Sequence, residues 1–215
     1  MEADGVRWAS DLGMQDYNSL ETKGLNIWNM AQNSERWQVF RYNNFVHNTL
    51  TVNNELHRVK GKANMDSHSD NPDFMYATSD LSSVFEGQLK TCVRGIGIVN
   101  QSYVVIRDEL ETADKPATVR WTMLTTADVR ITGKNTVELR KNGKKLTLQA
   151  LAPANIRMKT WTTESPNDYD SPNPGSVLVG FETDVPANSS AALTVLLIPQ
   201  SAKKVNRAIA ALGRW

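Results

Sequence analysis

The stretch TVELRKNGKKLTLQAL, residues 136–151, decides the fold. Val137 and Leu139 before its centre, and Leu146 and Leu148 after it, alternate with polar residues, the period-two pattern of strands that bury one face. Between them Asn142-Gly143 places two residues that tolerate positive φ where a two-residue type I′ turn requires them. The stretch reads as a β-hairpin, and its pattern recurs along the chain.

CVRGIGIVN (92–100) and SYVVIRDEL (102–110) form a second hairpin that turns near Asn100-Gln101. The two glycines of RGIGIVN lie in a strand-like run with no helix after them, so they read as sheet packing or a bulge rather than as a phosphate loop. Further strands are predicted at ATVRWTML, NIRMKTWTT, SVLVGFETD and AALTVLLIP, with ESPNDYDSPNPGS (164–176) as an exposed irregular loop. RWQVFRY (36–42) is apolar on both faces and reads as a strand inside a sandwich. NTLTVNN (48–54) follows, and its Asn53-Asn54 is predicted to turn the chain so that ELHRVKGKA (55–63) returns alongside. In AKKVNRAIAALGRW (202–215), Val205, Ile209 and Leu212 stand at helical spacing and predict a short terminal helix. More than ten short strands with turn signals between them predict an all-β fold, a large antiparallel β-sandwich of two packed sheets. The mixed composition of residues 1–35 predicts a connecting segment that leads into a sandwich over 36–215.

A chain of 215 residues is long enough for one large core. Its 24 Lys and Arg nearly balance 23 Asp and Glu, and the net charge of +1 disfavours a nucleic-acid partner. Cys92 is the only cysteine, which excludes an intrachain disulfide and a cysteine-rich zinc site; its apolar run predicts a buried thiol. No apolar run approaches membrane-spanning length, and MEADGVRWASDLG has neither the basic flank nor the hydrophobic segment of a signal peptide. So abrupt a start is expected of a part excised from a longer precursor. There is no HExxH, no paired-cysteine motif and no GxSxG elbow, so the familiar enzyme signatures are missing.

Residues 36–70 hold all three histidines with a dense set of basic and amide side chains. Arg41, Asn43, Asn44 and Asn48 around His47 suit an acidic, hydroxyl-rich ligand, because guanidinium pairs with carboxylate or sulfate and amides bond hydroxyls. The same residues also describe the wet faces of two strands, the commoner outcome for such composition. For His47 a structural role at a strand entry stands beside a functional one, since imidazole can donate, accept or compensate charge near neutrality. His57 and His68 with Asp66 and Asp70 offer metal-ligand chemistry. MDSHSDNPD (65–73), however, has the composition of a flexible surface loop.

The segment RWQVFRYNNFVHNTLTVNN resembles a characteristic stretch of the heparinase II/III-like C-terminal domain of bacterial polysaccharide lyases. FMYATSDLSSVF, VRGIGIVNQSYVVIRDEL, RWASDLGMQDY and ATVRWTML are similar to further family stretches, in family order, from about residue 7 to about residue 200. The resemblance implies a β-sandwich that follows an N-terminal α/α toroid in the same parent protein, and cleavage of uronic-acid glycans by β-elimination in the cleft between them. It implies an acidic polysaccharide as partner and a periplasmic or extracellular home for the parent. It also assigns His47 the sandwich's contribution to catalysis, as charge compensator or participant in proton transfer; Arg41, Asn43, Asn44 and Asn48 are neighbours placed to contact the acidic sugar, with roles that the resemblance does not assign. No cofactor is required. Some members hold a zinc in the sandwich, but its ligands have no match here, so the metal is left unknown. The toroid and its tyrosine have no counterpart in the chain, so the isolated chain is expected to have little or no lyase activity. The alternative is a non-catalytic carbohydrate-binding or structural sandwich. Six tryptophans are available for sugar stacking, although Trp28, Trp37, Trp121 and Trp161 lie in strand-like runs and are expected in the core.

Overall fold

In the computed structural model, which describes all 215 residues, β1 (Glu2–Ala3) and β2 (Val6–Arg7) make a small ribbon, and a short helix α1 (Tyr17–Glu21) follows. Three successive 3-10 turns cover Glu35–Gln38, Phe40–Tyr42 and Asn44–Val46. The sandwich strands are β3 (Leu50–Val52), β4 (Asn64–Ser69), β5 (Phe74–Asp80), β6 (Thr91–Val99), β7 (Tyr103–Glu111), β8 (Ala117–Thr125) and β9 (Asp128–Gly133). β10 (Thr136–Lys141), β11 (Lys144–Ala152), β12 (Lys159–Thr162), β13 (Val177–Val185) and β14 (Ser190–Pro199) complete them.

Eight strands form one sheet in the order β4-β5-β6-β7-β14-β11-β10-β9, and four form the other in the order β12-β13-β8-β3. The pairings within both sheets are antiparallel. The core lies between them. Trp121 and Phe181, directly opposed on β8 and β13, stack with ring centroids 6.0 Å apart. They belong to the same buried cluster as Leu139, Leu148, Leu193 and Val195 of the larger sheet. The expected two-sheet β-sandwich is therefore the fold of this chain. Residues 1–35 contribute Val6 and the fully buried Trp8 to that core, while Leu20 and Ile27 join Val39 in a smaller cluster.

The two hairpins with strong turn chemistry form as the sequence predicts. Asn142 and Gly143 take φ of +50° and +71° between β10 and β11, and Asn100 and Gln101 take +48° and +51° between β6 and β7. The glycines of RGIGIVN serve sheet packing. A Cβ on Gly95 would stand 2.4 Å from Leu212 and 2.7 Å from the Trp215 ring, and one on Gly97 would stand 2.5 Å from Phe74. Cys92 is buried as expected, and burial raises its thiol pKa far above the usual range.

Four expectations are corrected. Residues 36–42 are not a strand: Val39 enters the cluster of Leu20 and Ile27, and the Asn43 amide donates to the carbonyls of Trp37 and Val39 (3.3 Å each), which have no strand partner. Asn53 and Asn54 do take positive φ, yet residues 55–63 do not return as a strand. β3 pairs with β8 instead, through Leu50 opposite Trp121, while Asn53 exchanges bonds with Thr118. MDSHSDNPD is not wholly a loop, because residues 64–69 form β4 along the edge of the large sheet, where a polar strand costs nothing in burial and discourages edge pairing. The terminal helix is absent. Val205, Ile209 and Trp215 instead pack with Tyr103, Val105 and Leu196 on the outer face of the large sheet, and only Leu212–Arg214 makes a 3-10 turn.

Candidate functional site

The site is built where the 3-10 turns run into β3. His47 follows the buried Val46 in extended conformation (φ −100°, ψ 167°), at the point where the chain leaves the turns for the sheet. The backbone there is pinned from both sheets. Thr122 of β8 donates its hydroxyl to the His47 carbonyl (3.3 Å), and Arg94 of β6 reaches the Asn48 carbonyl (3.2 Å). Arg94 is itself held by the fully buried Asp108 through Nε (2.5 Å) and Nη2 (3.0 Å). Burial opposes the Arg94 charge, but Asp108 outweighs it and raises the guanidinium pKa.

Both ring nitrogens of His47 face acceptors: Nδ1 is 2.7 Å from Asp11 Oδ2, and Nε2 is 3.1 Å from the Arg41 carbonyl. The ring is thus fixed between a carboxylate on one side and a backbone carbonyl on the other. Asp11 answers to this environment. Burial alone would raise its pKa, but the His47 bond, the Gly13 N–H (2.7 Å) and the His47 charge outweigh burial and hold it below the usual carboxylate value. An anchored carboxylate behind the imidazole fixes the ring's orientation, as partners of catalytic and ligating histidines do elsewhere.

His47 lines a cavity of about 410 Å³ together with Trp37, Tyr42, Thr49, His57 and Arg58, and no carboxylate is among the lining side chains. His57 bonds the Leu50 carbonyl through Nε2 (2.8 Å) and lies edge-on to Phe85 at 4.9 Å. Burial pushes its pKa down, aided by the Arg94 and His47 charges and only partly opposed by the Leu50 carbonyl, so the ring favours the neutral form. The Tyr42 hydroxyl donates to the Gln15 carbonyl (2.5 Å), and burial followed by the Tyr17 phenol raises its pKa. Tyr42 is therefore poorly set to act as a base from this wall.

The four side chains proposed from sequence to meet the sugar are all engaged within the chain. Arg41 donates through Nε to Asn173 Oδ1 (2.9 Å) and through Nη2 to the Pro172 carbonyl (3.0 Å), clamping the loop at 164–176. Asn43 caps the third 3-10 turn through the Phe45 N–H (3.0 Å). Asn44 binds Thr51 Oγ1 (3.2 Å), the Glu55 carbonyl (3.1 Å) and the His57 N–H (3.0 Å), and so joins the two sides of the cavity. Asn48 bridges the Ser10 carbonyl (2.7 Å) and the Leu124 N–H (2.8 Å). Asn43 and Asn44 also border the cavity.

Three residues on the site received no such assignment from the sequence. Asp11 lies 36 positions from His47, and its only local signal is the Asp-x-Gly turn that it caps. Trp37, expected in the core, is half-buried on the cavity wall, and Arg58 stood out only as one of a run of basic residues. Trp121 is buried as expected, whereas Trp28 is 63 % exposed.

The donors present do not make a zinc site. His47 and Asp11 bring two ligand atoms together, a tetrahedral structural zinc takes four, and no group of three or more suitable side chains converges anywhere in the chain. His68 stands exposed on β4, away from any such group.

The family model described as Heparinase II/III-like, C-terminal, matches residues 1–210. This chain belongs to that family. The solved structures it resembles agree with that fold. Heparan sulfate lyase HepC from Pedobacter heparinus shares 15% identity at a TM-score of 0.67, over 94% of this chain and 30% of that one. The Heparinase III-BT4657 gene product shares 14% identity at a TM-score of 0.62, over 89% and 27%. A further heparinase III structure shares 13% at 0.63, over 80% and 26%. The chain thus spans less than a third of the length of each. No curated protein sequence matches it. No helix is long and apolar enough to cross a membrane.

Proposed function

We propose that this sandwich is one wall of the active site of an exported bacterial polysaccharide lyase that cleaves uronic-acid glycans by β-elimination. In that reaction the C5 proton is removed, its electron pair forms the C4–C5 double bond, and the C4–oxygen bond breaks with the oxygen taking a proton. The difficult state carries negative charge from C5 onto the carboxylate, so a fixed cation beside that carboxylate lowers the barrier. The observation that carries the reading is the His47 ring, held between Asp11 and the Arg41 carbonyl on the wall of a cavity lined by no carboxylate. When the ring donates along both bonds it has no free lone pair, so the role proposed for it is charge compensation rather than proton abstraction. The base and the leaving-group acid then come from the toroid of the same parent protein, and this chain alone has little or no activity.

A non-catalytic glycan-binding module is the second reading, favoured by the aromatic wall of Trp37 and Tyr42 in the same cavity. The two separate in the longer protein that carries this domain. There His47→Ala is expected to slow release of ultraviolet-absorbing unsaturated product by about a hundredfold or more while the domain's melting transition is retained. An unchanged rate on a substrate that the longer protein cleaves removes His47 from the reaction.

A further inference from the structure

We infer that Arg58 and Trp37 form the sugar-acid subsite of this cavity: Arg58 pairs the anionic group of the glycan, and the Trp37 ring carries the pyranose face. The inference rests on the acidic-glycan reading above and names the residues that select charged over neutral sugars.

Arg58 is the only arginine or lysine among the lining residues, so it is the one cation there whose charge does not depend on pH. Its fork is already placed. Nε donates to the Glu86 carbonyl (2.6 Å), and the side chain passes over Gly87, where a Cβ would stand 3.1 Å from Nη2. Gly87 adopts φ of +77°, a conformation that glycine takes without strain and that brings the backbone close beneath the guanidinium. Nη2 makes a long ion pair with Glu55 Oε2 at 3.9 Å, beyond hydrogen-bond reach, and neither terminal nitrogen has a protein hydrogen-bond partner. A guanidinium anchored at Nε, with both terminal nitrogens free of hydrogen bonds and only a long, solvent-accessible ion pair to Glu55, is prepared for a bidentate bond to a carboxylate or sulfate, at small entropic cost.

Trp37 is fixed in the same manner. Its Nε1 donates to the Ala31 carbonyl (2.8 Å), and the Arg36 guanidinium lies 5.4 Å from its ring centroid. The same guanidinium lies 4.9 Å from the Tyr42 centroid and 5.8 Å from that of Tyr17, and it donates through Nη1 to the Ile27 carbonyl (2.8 Å). One cation therefore braces both aromatic walls, and Arg36 is a positioning residue. A rigid indole partly open to a cavity is the usual partner for the apolar face of a sugar ring.

The test is calorimetric titration of the full chain with an oligoglucuronate and with the same oligosaccharide reduced at its carboxyl groups to neutral glucose units. The native chain is expected to prefer the acidic form, with affinity that falls as salt rises. Arg58→Gln should weaken the acidic oligosaccharide roughly tenfold or more and shrink the preference by the same factor. Trp37→Ala should weaken both forms by a similar factor and leave their ratio unchanged, with Trp37→Phe intermediate. Each variant's unfolding transition is recorded, so that a loss of binding by a folded Arg58→Lys protein, which keeps the charge but not the fork, separates recognition from misfolding. Equal binding of both oligosaccharides by the native chain, no binding of either, or a preference that Arg58→Gln leaves undiminished overturns the subsite. The lyase reading fails differently: if the longer protein binds through Arg58 but releases no unsaturated product, the subsite stands and the elimination does not.

Discussion

At the scale of single residues, His57 makes the sharpest solution prediction. Its folded pKa lies below the unfolded value of about 6.5 because burial disfavours the imidazolium. Below that value the unfolded chain binds more protons than the folded one, so the stability that neutral His57 contributes is complete above about pH 6.5 and is lost as pH falls through the folded pKa. His57→Gln keeps a donor for the Leu50 carbonyl but does not titrate. The melting-temperature advantage of the native chain over this variant should therefore shrink between about pH 7 and about pH 5, as followed by circular dichroism. A gap that stays constant over that range would show that His57 is not held neutral. Residue types in 36–70 were readable as a polar, basic site, but which side chains point inward was not. Asn43, Asn44 and Asn48 complete hydrogen bonds of backbone that no strand satisfies, a demand that appears only once the 3-10 turns exist.

Among the elements, turn chemistry separates what was legible from what was not. The β6–β7 and β10–β11 hairpins are specified by two adjacent turn residues and period-two strands, both local properties. Residues 36–42 have equally strand-like composition, yet no neighbouring strand is available, and Val39 gains more by entering the cluster with Leu20 and Ile27. The C-terminal segment has helical spacing, but its apolar side chains find the groove that Gly95 and Gly97 leave on the large sheet. Gly95→Val should thus displace Leu212 and Trp215, lower stability by about 1–3 kcal/mol and expose residues 201–215 to limited proteolysis. Gly213→Ala, where an added Cβ meets nothing within 4 Å, should change stability by less than about 0.5 kcal/mol. Equal effects of the two substitutions would remove the packing account of Gly95.

For the whole molecule, the Arg94–Asp108 pair links the large sheet to the site, because the same guanidinium that closes on Asp108 holds the Asn48 carbonyl beside His47. Removing one partner leaves an uncompensated buried charge, so Arg94→Met is expected to cost about 3–5 kcal/mol in urea unfolding. Replacing both, with Asp108→Leu added, should recover much of that loss, since the pair's mutual attraction largely offsets its desolvation. A double variant less stable than the single one would argue that the pair contributes net stability. The sequence by itself determined the all-β class, the two strong hairpins and the polar, histidine-bearing character of residues 36–70, because alternation and turn propensity act between residues a few positions apart. Only the tertiary structure decided that Asp11 meets His47 across 36 positions, that Arg41 clamps a loop while Arg58 faces the cavity, and that Trp37 stands on its wall. Those outcomes depend on which backbone groups the packed sheets leave unsatisfied and on where two distant segments are pressed together, and no local pattern encodes either.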